Sequence, residues 1–197
     1  MNVDLCFATP LCYKTISIDN NALEEYCYKL QKESNTKTLP GGWQSGNLDL
    51  SMPEFGSIIV NIESMLKEIR ELYNIKKGVL TQIDNGWINI NYPGLSQLAD
   101  NYYHIHPSYF FSFVYYVKAK KDAGNLKMTS TYNNLEYLLP DIAYNELNTI
   151  NSSRILIDPV PGKLIAFPSW ISHYVEPNLS NSDRISIAFD IKLMTLK

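Results

Sequence analysis

The strongest pattern in the chain lies over residues 53–73. Phe55, Ile58, Ile59, Ile62, Met65, Leu66, Ile69 and Leu72 recur at the i, i+3, i+4, i+7 spacing of one helical face. Glu63, Lys67, Glu68, Arg70 and Glu71 fall mostly off that stripe. Pro53 suits the first turn, where its missing N–H costs nothing, and Ser51 is the candidate cap. This helix is expected to cover one face of a sheet. A shorter helix is predicted over 21–33, capped by Asp19 or Asn20, with Leu23, Tyr26, Cys27 and Leu30 on its stripe. Residues 3–18 alternate weakly around Pro10 and read as one or two short edge strands. Residues 34–51 read as a loop, with a turn signal at Pro40-Gly41-Gly42.

Beyond residue 78 the period changes to two. Runs of β-branched and aromatic residues at 79–83, 87–90, 102–106, 110–117, 126–131, 154–157, 163–167, 173–175 and 185–193 are separated by Gly, Pro, Asn and Asp clusters. Many short strands at this spacing indicate a sandwich or barrel. The predicted fold is therefore mainly β with N-terminal helices: a double-stranded β-helix (jelly roll) with helices packed on one face. No repeat or linker divides the chain, so 1–197 reads as a single domain. Residues 1–75 would supply an N-terminal strand and helical cover, and 76–197 the jelly-roll core. Residues 135–147, interrupted by Pro140, read as a long loop with at most one helical turn.

Composition narrows the function classes. A hydrophobic fraction of 45% supports a sizeable core, and a net charge of −3 implies no basic surface for nucleic acid. Lys76-Lys77 and the 118–121 lysines read as solvated. Cys6, Cys12 and Cys27 are odd in number, crowd the N-terminal end and match no zinc spacing, which fits a reducing, cytoplasmic compartment. No apolar run reaches membrane-span length, and residues 1–12 lack the basic start of a signal peptide, so no membrane association is expected. The abundance of Asn, Tyr, Ile and Ser fits an AT-rich bacterial or phage genome.

The chain has three histidines, and they form one pattern: His104-Ile105-His106, then His173. On a strand, residues two apart share a face. Two imidazoles would project together, with a third arriving from a later strand. A facial set of His ligands with open positions is one way a protein holds a ferrous ion. Zinc would accept the same ligands, but a hydrolase also needs a general base, and neither Glu176 nor Asp183 lies in a hydrolase motif. Eleven residues after His173 stands Arg184, heading the alternating strand Arg184-Ile-Ser186-Ile-Ala-Phe189. It is a cation able to grip a carboxylate near the metal.

Several blocks resemble one family. His104-Ile-His-Pro107 with Ser112-Phe-Val-Tyr-Tyr-Val117 is similar to an "HxHP…SGVYYL" signature of 2-oxoglutarate/Fe(II) oxygenases of bacteria and their phages. The 161–178 block resembles that group's "PxxGxLxxFPSWxxHxVxPN", and the 184–189 block its "RISIxF" ending. Gly41-Gly42-Trp43-Gln44-Ser45 and Gly86-Trp87-Ile88-Asn89 also look like family landmarks. Phe113 stands where the signature has glycine, and no "dPR" element follows Val117.

The resemblance implies an Fe(II)- and 2-oxoglutarate-dependent oxygenase, a hydroxylase that decarboxylates 2-oxoglutarate to succinate while oxidising a C–H bond. Its partners would be O2 and a small-molecule or peptide substrate, with a homodimer as one candidate assembly. The usual triad is HxD…H, and His106 occupies the carboxylate's place. Either all three histidines bind, the preferred reading, or His106 stands behind His104 and His173. Asp at 106 would restore the common triad and is expected to be tolerated better than Ala. Asp100 is a weaker ligand candidate. Arg184 and Ser186 would hold the distal carboxylate of 2-oxoglutarate, with Tyr116 as a further donor. Trp170 and Asn89 are candidates for the substrate side, while Trp87 is expected in the core and Asn178 at a turn. The alternative is a cupin-like three-His metalloprotein that does not use 2-oxoglutarate. A non-catalytic β-sandwich binding module is a third reading. Arg184 discriminates, because the cupin reading has no need of a cation there.

Overall fold

A computed structural model describes residues 1–2, 8–34, 36, 40–94, 102–130, 145–146 and 148–195. Among these, β1 (Cys12–Thr15), α1 (Asn20–Glu33), β2 (Gly42–Gln44) and α2 (Pro53–Leu72) precede seven further strands. These are β3 (Val79–Asn91), β4 (Phe111–Lys118), β5 (Leu126–Thr129), β6 (Arg154–Ile157), β7 (Lys163–Pro168), β8 (His173–Val175) and β9 (Arg184–Thr195). They form a six-stranded sheet, ordered β1-β7-β4-β9-β3-β2, and a three-stranded sheet, β6-β5-β8. Every pairing is antiparallel.

Side-chain alternation sorts the large sheet into two faces. Phe111, Phe113 and Tyr115 of β4 and Ile185, Ile187 and Phe189 of β9 pack with both helices in one core. From α2 that core takes Phe55, Ile58, Ile62, Met65, Leu66 and Ile69, the stripe that the 3.6 period marks out. On the opposite face, Tyr116, Ile165 and Phe167 pack with Leu126, Met128 and Ile157 of the small sheet. The result is the predicted jelly roll, mainly β, with two sheets face to face and both helices on the outer face of the larger one.

Local details depart from the sequence pattern for definite reasons. The 79–83 and 87–90 runs are one strand, because β9 pairs along the whole of it across an irregularity between Ile83 and Asn85. The 34–51 loop contains β2, whose Trp43 and Gln44 pair with Ile90 and Asn89. Asp19 caps α1 as expected, accepting from the N–H groups of Asn21 and Ala22 at 3.1 Å. Ser51 does not cap α2: Met52 holds the cap position, while the Ser51 hydroxyl donates to Asp49 at 2.7 Å. Residues 102–106 form no ladder strand, only a single bridge between His104 and His173. Of the 3–18 expectation, β1 is present and residues 3–7 lie outside those described; so do residues 135–144 and 147 of the expected long loop, and Asp100. Among the described residues no helix is long and apolar enough to cross a membrane.

Gly42 carries a special backbone requirement. Its φ is +155°, and an added Cβ would sit 2.0 Å from the Ile90 carbonyl oxygen. Only glycine lets β2 approach β3 this closely.

The two sides of α2 should respond differently to truncation. Ile62→Ala, at a fully buried position, is expected to cost about 2–5 kcal/mol. Val60→Ala, at a position 64% exposed, should stay within about 0.5 kcal/mol. Urea unfolding of both variants measures the difference; equal losses would mean that α2 does not face the sheet as described.

Candidate metal centre

A cavity of about 460 Å³ opens between the two sheets, lined by residues of β3, β4 and β9 on one side and of β5 and β8 on the other. His104, His106 and His173 lie together in its wall, each offering one ligand nitrogen within 4.8 Å of the others. Their ring centroids are 4.4–5.2 Å apart. The backbone sets this arrangement. His104 and His173 exchange two N–H···O=C bonds of 3.0 Å, and the His106 N–H donates to the Ser169 carbonyl at 2.9 Å. Pro107 disfavours a helical conformation at His106. The two imidazoles of the HxH element thus meet through an extended, locally pinned segment rather than through a strand.

Each ring is also fixed through its Nδ1. His104 Nδ1–H donates to the Tyr102 carbonyl at 2.5 Å, and His173 Nδ1–H to the Ile171 carbonyl at 2.8 Å. A carbonyl can only accept, so Nδ1 carries the proton and Nε2 keeps its lone pair. Burial pushes His173 down to about 3, and the neighbouring imidazoles add to the push, so this ring is neutral at ordinary pH. His106 Nδ1 instead meets the Asp190 carboxylate at 2.9 Å. Asp190 also accepts from the Ser112 hydroxyl at 2.8 Å. Ser112 lies 2.9 Å from Ser169. Since the one Ser112 proton goes to Asp190, Ser169 is the donor in that second pair. Rings held in this way, with one ligand atom of each within 4.8 Å of the others, make a donor set suited to a divalent transition ion.

Away from the imidazoles the cavity wall changes character. Arg184 is 1% exposed, and its guanidinium carbon lies 5.5 Å from the centre of the Tyr116 ring. Among the described residues, Arg184 Nε and Nη1 and the Tyr116 hydroxyl have no hydrogen-bond partner. The hydroxyl lies in the field of the guanidinium but outside bonding geometry to it. Burial lowers the Arg184 pKa and raises that of Tyr116. Leaving such groups buried and unpaired costs about 1–3 kcal/mol each, more for charged ones, and the acceptors of an anion could satisfy them. Ser186 pairs in register with Asn89 on one side and Tyr116 on the other, forming one row beside Arg184. Asp183 does not pair with Arg184; it accepts from the Tyr28 hydroxyl at 2.7 Å. Asn178 closes the turn before β9, donating to the carbonyls of Asn91 and Ser182 at 2.9 and 2.8 Å.

Of the sequence candidates, His104, His106, His173, Arg184, Ser186 and Asn89 line the cavity. Tyr116 is fully buried beside Arg184. Trp170 does not wall it: the side chain is 44% exposed and the residue is absent from the lining. Trp87, expected in the core, instead stacks on His106 at 5.6 Å and lines the cavity. It shares the β3 face of Asn89 and Asn91, a polar alternation that could have revealed it. Asp190 escaped the sequence reading, although period two from Arg184 through Ser186 and Ala188 leads to it.

Residues 85–190 match the model of a family described as "Putative 2OG-Fe(II) oxygenase". No curated protein matches the chain. Among solved structures it is similar to a prolyl-4-hydroxylase from Pseudomonas putida, at 15% identity and a TM-score of 0.61, over 92% of this chain and 91% of that one. It is also similar to a prolyl hydroxylase from Trichoplax adhaerens, in complex with a hypoxia inducible factor peptide fragment, at 13% identity and a TM-score of 0.60, over 92% and 83%. HygX from Streptomyces hygroscopicus, with nickel and 2-oxoglutarate bound, is similar at 11% identity and a TM-score of 0.60, over 94% and 83%. At such identities these likenesses are of fold. The family match spans more than half of the sequence, and on that ground the chain belongs to the 2OG-Fe(II) oxygenases, enzymes dependent on ferrous iron and 2-oxoglutarate.

Proposed function

We propose that His104, His106 and His173 hold one Fe(II), and that Arg184, Ser186 and Tyr116 hold the distal carboxylate of 2-oxoglutarate in a hydroxylase active site. The observation that carries the second assignment is the buried guanidinium with two unpaired nitrogens beside an unpaired phenol. Two charge-assisted bonds from Arg184, with hydroxyls from Ser186 and Tyr116, match the acceptors of a carboxylate. When bound, iron and 2-oxoglutarate supply the oxidation of a C–H bond by O2, coupled to decarboxylation of the keto acid to succinate. The chain's own work is positional. His104 and His173 arrive as a pre-joined pair. Trp87 and Phe167 pack apolar surface on His106 and His173 and limit water. Asn89 presents a polar group to the substrate from the row beside Ser186.

The substrate class is a small molecule or a peptide side chain. Tyr102 and Tyr103, 63% and 53% exposed, line the cavity where it opens and would contact that substrate. The peptide bound by the Trichoplax protein supports the peptide option by analogy of fold. The unit is a single oxygenase domain working in the cytoplasm of a bacterium or a phage-infected cell, a reading supported by the cysteine usage and the residue composition. A three-His barrel that did without 2-oxoglutarate would leave Arg184 and Tyr116 without a purpose.

Anaerobic titration with Fe(II) and then 2-oxoglutarate tests both assignments. The wild type is expected to take up one iron and to develop the charge-transfer absorption of a chelated keto acid. His104→Ala and His173→Ala should lose iron; wild-type loading by both would show that the site is misassigned. Arg184→Ala should load iron normally yet need about thirtyfold or more 2-oxoglutarate, the effect of losing about 2 kcal/mol or more from a desolvated charge pair. Arg184→Lys should recover part of the loss, since a point charge cannot reproduce the guanidinium fork. An unchanged titration of Arg184→Ala would remove the 2-oxoglutarate assignment.

Trp87 offers an internal reporter. Its ring stacks on that of His106, so loading with Co(II) or Fe(II) should quench tryptophan fluorescence, and Trp87→Phe should abolish most of that response. Persistence of the full quench in Trp87→Phe would place the ion elsewhere.

A further inference from the structure

The three imidazoles are not held alike. Among the described residues, the Nδ1 atoms of His104 and His173 meet backbone carbonyls, whereas that of His106 meets a carboxylate. Asp190 is 2% exposed and sits at the end of a directional chain, Ser169 to Ser112 to Asp190, in which every hydroxyl proton points toward it. Its partners in the described structure are a serine hydroxyl and an imidazole, and no lysine or arginine is paired with it. A buried carboxylate supported only by such dipoles has its charge poorly compensated. A divalent cation on the far nitrogen of the same imidazole supplies that compensation. The position also matters chemically. The common triad places a carboxylate at the middle ligand, and here that place is His106.

We propose that Asp190 is a positioning residue for the metal, one shell behind His106, and that the charge of the missing carboxylate ligand is supplied through this imidazole. The inference rests on the reading that the three histidines hold Fe(II). Asp190 accepts the Nδ1 proton, aims Nε2 into the cavity and makes that nitrogen a stronger donor than a carbonyl partner would. His106 and Asp190 thus act as one unit. The simple exchange of His106 for Asp, which sequence alone recommends as a return to the common triad, therefore carries a hidden cost. It leaves Asp190 without its imidazole and sets two carboxylates near each other.

The test is metal affinity, measured anaerobically with Fe(II) and with Co(II) by competition against a chelating dye, on the full chain. Asp190→Asn keeps the shape and one acceptor oxygen but removes the charge, and is expected to bind about 10–100-fold more weakly than wild type. Asp84→Asn, which removes a carboxylate paired with Lys192 on the same sheet, should bind as wild type does. In the His106→Asp background the penalty of Asp190→Asn should shrink to about threefold or less, because the imidazole that transmits it is gone. Ser112→Ala, which removes a donor that competes with the imidazole for the Asp190 charge, should bind at least as tightly as wild type, and a loss of about tenfold or more there would overturn the proposal even if Asp190→Asn does not fold. Wild-type affinity in Asp190→Asn would overturn the proposal alone. An equal penalty in both His106 backgrounds would also overturn it, by showing a general structural effect. Absence of metal binding by the wild type would instead overturn the three-histidine reading, and this proposal with it.

Discussion

From Arg184 to Ile191, strand β9 is buried on both faces, and its register decides what each face becomes. Ile185, Ile187 and Phe189 enter the helix-backed core, while Arg184, Ser186, Ala188 and Asp190 look the other way, toward the small sheet. A slip of one residue would exchange the two sets, driving a guanidinium and a carboxylate into an apolar core and three large hydrophobic side chains into the cavity. Neither face could absorb that. The long pairing with β3, the pairing with β4 and the Asn178 turn ahead of Arg184 all fix the same register. Core and site are thus specified by a single alignment, and each penalises error in the other.

The same alignment explains the polarity of the cavity. Rows of three run across β3, β9 and β4: Asn89, Ser186 and Tyr116 in one, Trp87, Ala188 and Val114 in the next, Asn85, Asp190 and Ser112 in the third. Acceptors gather at the imidazole end and donors at the guanidinium end, with small and aromatic side chains between. Among the described residues the Arg184 and Tyr116 donors are unpaired, a stability cost that preorganisation would offset if the proposed carboxylate binds there. Such a ligand would meet charges already in place instead of having to collect them.

Much of this was legible in the sequence where a local period governs the outcome. The α2 stripe, the Asp19 cap and the placement of Arg184 and Ser186 on one face follow from spacing alone. What the sequence concealed was settled by non-local partners. Residues 102–106 have the composition of a strand, but the ladder is absent because only His104 finds an opposing residue. Ser51 has the chemistry of a cap, yet Asp49 takes its hydroxyl. Trp170 sits three residues before His173, and the intervening turn leaves it in solvent. Trp87 reads as core because of its size, though its strand parity matches Asn89. Asp190 lies just past the 184–189 motif and gains meaning only when β4 brings Ser112 beside it.

The reciprocal backbone bonds between His104 and His173 bear on how stability and metal occupancy are linked. Two of the three imidazoles are joined by main chain before any ion arrives, and the third is tied to Ser169. The ordering entropy of the site is therefore settled when the sheets close, not when the ion enters. In contrast to a zinc finger, where metal binding and folding are one event, this fold rests on a six-stranded sheet and a helix-backed core that do not run through the histidines. An ion held by the three imidazoles would then act by mass action, raising the melting temperature with the logarithm of free ion above the dissociation constant.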